Sequence, residues 1–95
     1  MPAPPPTLDE ILDRFVALDA RGESAHAEAL LRDTIATRSS PAEAATLALQ
    51  LGRWLAARPG RAADAAEVLD SVDRPGVPAE LIETARALRK RALAR

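Results

Sequence analysis

A single histidine, His26, and the serine two residues before it, Ser24, are the first side chains to test for chemistry. Histidine can shuttle protons near neutral pH or ligate a metal. Either role needs partners at suitable spacing, and Glu23 and Glu28 form no recognised ligand pattern with it. His26 therefore reads as a solvent-facing residue beside Ala25. Ser24 has no base to activate it and stands where a helix cap would, so it reads as a cap. Two carboxylate pairs, Asp9 with Asp13 and Asp70 with Asp73, have the composition of an acid–base site. Such a site needs burial or close approach, and both pairs fall at helix ends or on solvated faces. The four glycines stand singly and build no phosphate loop. With no cysteine, there is no thiolate for a metal, a disulfide or nucleophilic attack. The expectation is a protein that catalyses nothing and takes no metal or cofactor.

Charge excludes other classes. Arg86, Arg89, Lys90, Arg91 and Arg95 form the one cluster, with no acidic residue after Glu83. As a basic stripe it could meet nucleic acid, but no aromatic is interleaved for base stacking. Cations near a helix C-terminus also complement its dipole, which is the favoured reading. Thirteen basic against fourteen acidic residues leave a net charge of -1, too balanced to concentrate the chain on an anionic surface. Apolar runs are a few residues long, far below the ~20 that span a bilayer. The start, MPAPPPT, lacks the basic and apolar segments of a signal peptide. A cytoplasmic protein without a membrane partner is expected by default.

The elements that position these residues are helical. Alanine and leucine, strong helix formers, are the two commonest residues, and strand formers are scarce. Residues 1–6 form a proline-rich leader, extended and flexible, whose PxPPP run is also the type that polyproline readers bind. Thr7 and Glu10 make a capping box that opens a first helix, with Leu8, Ile11, Leu12, Phe15 and Leu18 inward and an end near Ala20. The second runs from Ser24 to Thr37, with Ala27, Leu30, Leu31, Thr34 and Ile35 inward. Ser40, Pro41 and Glu43 start a third. It carries Leu47, Ala48, Leu51, Trp54 and Leu55 on one side, and Pro59-Gly60 ends it. A fourth spans about 61–72, with Ala65, Val68, Leu69 and Val72 inward. A fifth opens at Pro78 and buries Leu81, Ile82, Ala85, Leu88 and Ala92. Short connections make consecutive helices antiparallel. Trp54 is expected to pack on a neighbouring element, and mid-helix Gly52 implies close approach by another helix.

The chain repeats itself. Gly22 and Gly60, Ala27 and Ala65, and Leu31 and Leu69 are each 38 residues apart. Small alanine admits a close helix, and leucine one turn on fills the groove beside it. With Leu51-Gly52 and Leu55, then Ala65, Leu69 and Pro78, the second unit resembles the tetratricopeptide repeat family. Leu8, Ile11, Leu12 and Phe15 hold the comparable places in the first unit. Ala48, Leu12 and Leu55 depart from the family's tryptophan, glycine and tyrosine, and the hairpin turns are longer than its ~34-residue period allows. The resemblance implies an all-α fold over residues 7–95: two antiparallel helical hairpins plus a C-terminal capping helix, five helices in all.

It also implies a function: a protein–protein interaction module, an adaptor whose first helices line a shallow groove for a peptide or helix of another protein. The family's groove positions fall on Asp9, Asp13 and Val16 in unit one, and on Thr46, Leu49, Arg53 and Ala57 in unit two. Exposed Leu49 beside Arg53 suggests a mixed apolar and anionic ligand. The alternative is a structural role, including a homo-oligomer formed through Leu49, Trp54 and the alanine-rich faces.

Overall fold

Five helices dominate residues 4–94, the part of the chain that the computed structural model describes. They are α1 (Leu8–Ala20), α2 (Ser24–Thr37), α3 (Pro41–Ala56), α4 (Ala62–Asp70) and α5 (Ala79–Leu93). No strand occurs among the described residues, so the fold is all-α. Residues 1–3 of the expected leader and Arg95 of the basic cluster lie outside them.

Local sequence accounts for most helix ends. Extended Thr7 accepts a hydrogen bond from the Glu10 amide at 3.2 Å, and Ser40 accepts one from the Glu43 amide at 3.3 Å. Each removes one orphan donor of a first turn. Pro41 occupies the first turn of α3, where its missing N–H costs nothing. Ser24 does not cap. It is the first residue of α2, whose N-cap position, Glu23, makes no side-chain cap bond. The Ser24 hydroxyl instead accepts from Arg58 Nη2 at 3.1 Å. The hydroxyl thus serves a tertiary contact with the α3–α4 connection rather than a local cap.

Gly22 and Gly60, the glycines of the repeat, share left-handed φ angles of 78° and 75°. Their turns differ. After α1 the Glu23 amide bonds Leu18 O at 2.9 Å and the Gly22 amide bonds Asp19 O at 3.0 Å, a Schellman end. After α3, Arg58-Pro59-Gly60-Arg61 forms a β-turn closed by Arg61 N to Arg58 O at 3.3 Å. Proline second and positive-φ glycine third suit a type II turn. That turn makes the second connection longer than the first, 57–61 against 21–23.

Along the chain each helix packs on the next, and α5 covers both α4 and α3. The Cα envelope measures 48 × 34 × 16 Å, a slab about two helices thick. At its centre lies α3, packed by α2, α4 and α5. Ala44, Ala45, Leu47, Ala48, Leu49, Leu51, Gly52 and Leu55 are all buried there, more than the single face expected from its period. The repeated positions are core positions: Ala27, Ala65, Leu31 and Leu69 are buried. Helix α4 is shorter than its sequence suggests, ending at Asp70 rather than at 72, although Val72 is still buried.

Gly52 marks the closest approach. A methyl built on its Cα would lie 2.5 Å from Leu69 Cδ2 and 2.6 Å from Leu69 Cγ, inside contact distance. Helix propensity favours alanine over glycine by about 1 kcal/mol. Here overpacking should win, because such insertions cost ~1–3 kcal/mol. Gly52→Ala is therefore expected to lower the urea-unfolding free energy, and a cycle with Leu69→Ala to show favourable coupling of roughly 0.5–3 kcal/mol between the two changes. A Gly52→Ala variant more stable than wild type would refute the close approach.

Candidate functional site

The residues expected to line a groove do not form an apolar one. Asp9, Asp13 and Val16 are exposed on α1, and Arg53 and Ala57 are exposed at the end of α3. Thr46 is half-buried, its hydroxyl donating to Ala42 O at 2.9 Å. Leu49, the intended apolar anchor, is only 7% exposed and belongs to the core. The expectation of an exposed Leu49 fails because three helices, not one neighbour, wrap α3. The same burial removes Leu49 as a self-association contact.

Trp54 is also engaged within the chain. Its ring meets Phe15 edge-on, with centroids 5.4 Å apart and planes at 75°. The Arg58 guanidinium lies 3.9 Å from the ring centroid, a cation–π contact. From there Arg58 Nη2 bonds Asp19 Oδ1 at 3.0 Å as well as Ser24. Arg61, at the other end of the Pro-Gly turn, reaches Glu28 on α2 at 2.9 and 3.0 Å and Asp64 at 2.6 Å. Two guanidinia thus carry the α3–α4 connection onto α1 and α2.

The open depression lies on the other helices. Arg32, Ile35 and Ala36 of α2 face Glu67, Val68 and Ser71 across a groove of about 200 Å³, with Leu51 of α3 among its lining residues. Ile35 and Ser71 also border a small void beside Pro41 and Val77, so the apolar lining continues towards the start of α5. Helix lengths explain the gap. In the repeat register α2 runs six residues beyond Leu31, whereas α4 runs one beyond Leu69. Past Asp70, α4 has no further helical turn to match the last residues of α2. Sequence reasoning placed Ile35 and Val68 inward and missed the groove. The signal was the Asp73-Arg74-Pro75-Gly76 turn, which leaves α4 no room to match α2.

Charge at the rim is uneven. Arg32 Nε donates to Glu28 Oε2 at 2.8 Å, so its charge is already met. Hydrogen bonds from Arg61, then from Arg32, hold the Glu28 carboxyl below its ordinary range. Donating to Glu28, then to Asp64, raises Arg61 above its ordinary value. Glu67 is exposed and has no ion pair among the described residues. His26 is exposed, 3.6 Å from Glu23, and no group of three potential metal ligands occurs among the described residues. In the basic cluster Arg86 pairs with Asp73 and Arg89 with Asp70, at 2.9 and 2.8 Å. No described helix is long and apolar enough to cross a membrane. No family model, curated protein or solved structure matches the chain.

The Glu28 cluster sets a pH dependence. A carboxyl whose folded pKa is depressed adds stability above its unfolded value, around pH ~4, and loses it as pH falls through the folded value. Wild type should therefore exceed Glu28→Gln in stability at neutral pH, with the gap closing as pH drops below ~4. Urea melts of both proteins across that range check it. A gap independent of pH would show that the arginines do not read the Glu28 charge.

Proposed function

We propose that this chain is a non-catalytic protein-interaction module, and that the groove between α2 and α4 is where a partner docks. The observation that carries the reading is the groove itself, an open volume of about 200 Å³ between two helices of an otherwise packed slab. Its apolar side chains, Ile35, Ala36 and Val68, suit a leucine-sized anchor on a partner helix or peptide. Glu67 is the rim charge without a partner among the described residues, so the anchor is best flanked by a cation.

In this reading α1–α2 and α3–α4 are two copies of one hairpin similar to a tetratricopeptide repeat, and α5 closes the stack. The matched burial of Ala27 with Ala65 and Leu31 with Leu69 supports the repeat. The docking surface then falls on the second helices rather than the first. Nucleic-acid binding is less favoured, because two of the terminal cations are already held by Asp70 and Asp73.

Two designed helical peptides test the proposal, one of leucine and lysine at helical spacing, the other of leucine and glutamate. The leucine–lysine peptide should shift the backbone amide resonances of Ile35, Ala36, Glu67, Val68 and Ser71, and bind several-fold more tightly than its acidic counterpart. Ala36→Arg, which fills the mouth of the groove at an exposed site, should weaken binding about tenfold, equivalent to 1.4 kcal/mol. Shifts confined to Asp9, Asp13 and Val16, or none with either peptide, would overturn the assignment.

A further inference from the structure

The two helices at the ends of the packing order carry matching stripes. On α1, Asp9, Asp13 and Val16 are all exposed at i, i+4 and i+7, which places them on one face. On α5, Arg86, Lys90 and Leu93 are exposed at the same i, i+4 and i+7 spacing. Val16, 60% exposed, and Leu93, 50% exposed, are the only large apolar side chains left in solvent among the described residues. Neither Asp9, Asp13 nor Lys90 has an ion pair among those residues, and Arg86 has one, to exposed Asp73. The stripes therefore agree in spacing, are opposite in charge, and each ends on an uncovered aliphatic.

We infer that the chain associates head to tail with a second copy of itself, the α1 stripe of one molecule lying in register along the α5 stripe of the next. Parallel alignment sets Asp9 against Arg86, Asp13 against Lys90 and Val16 against Leu93. Charge complementarity selects this occupant: the acid of one end is met by the base of the other, which every copy supplies. Both stripes sit on end helices, and α1 and α5 do not pack on each other within one chain. Such an interface is heterologous, so it leaves a free stripe at each end and grows into a ring or an open chain. Exposed ion pairs contribute little each. The contact is therefore weak and salt-sensitive, dependent on protein concentration.

Sedimentation velocity on the full chain up to millimolar concentration tests this. The weight-average mass should rise with concentration, and the apparent dissociation constant should increase about tenfold from low salt to ~0.5 M NaCl. Val16→Glu and Leu93→Glu, each at an exposed site and each checked for helicity by circular dichroism, should both be monomeric alone. Mixed in equal amounts they should form a heterodimer and stop there, because one retains a working α5 and the other a working α1. A monomeric wild type under all conditions would overturn the inference. So would association that survives either substitution, or single variants that fail to complement when mixed, the sign of a symmetric interface.

Discussion

The seating of Leu69 against the bare backbone of Gly52 is the contact on which the rest of this structure depends. Glycine in mid-helix sacrifices helicity, and here the return is separation: with no Cβ at that position, α4 can lie close enough for its leucine to fill the space. Ala44, Ala45 and Ala48 extend the same small-residue character along α3. A helix lined this way can take neighbours on several sides, and α2, α4 and α5 all pack on it. Leu47, Leu51 and Leu55 supply the bulk that the small residues lack, and all three are fully buried. The chain has one phenylalanine, one tryptophan and no tyrosine, so its core rests on this alternation of aliphatic and small side chains.

The α1–α2 pair needs something more, because α1 packs chiefly on α2 and touches the centre through Phe15 on Trp54. Arg58 and Arg61 provide it. They flank Pro59-Gly60, and a type II turn projects both towards α1 and α2. Ion pairs at half-exposed positions add little stability each. Their geometric value is larger: Arg58 is stacked on Trp54 while bonding Asp19 and Ser24, and Arg61 grips both oxygens of Glu28. Planar guanidinium groups hold such arrangements better than a lysine would. The longer second turn is thus a structural device, and it explains why the two units match in residue spacing yet differ in connection length.

Helix existence and type were legible because they depend on nearest neighbours. The α2 bounds, the caps at Thr7 and Ser40, and the close approach at Gly52 all follow from local pattern. Ser24 misled because it is already the first helical residue, with Glu23 at the N-cap position, and its hydroxyl meets a guanidinium 34 residues away. Leu49 misled for another. Periodicity assigns one buried face per helix, and α3 is buried on more than one. The groove was out of reach of periodicity altogether, since it is the difference between two helix lengths set by separate turns.

Net charge hid the most. A value of -1 suggests a bland surface, yet acid gathers on α1 and base on α5, and the sum erases the separation. A stack of helices always has two ends, and each must face water or a neighbour. Charged side chains keep an end helix soluble whatever their sign. Opposite signs at the two ends, at equal spacing and each beside one bare aliphatic, do more than solubility requires. The groove between α2 and α4 lies away from both stripes, so filling it leaves the ends uncovered. The proposed partner docking and the proposed end-to-end contact therefore fall on different helices of the same slab, and neither surface has to be given up for the other.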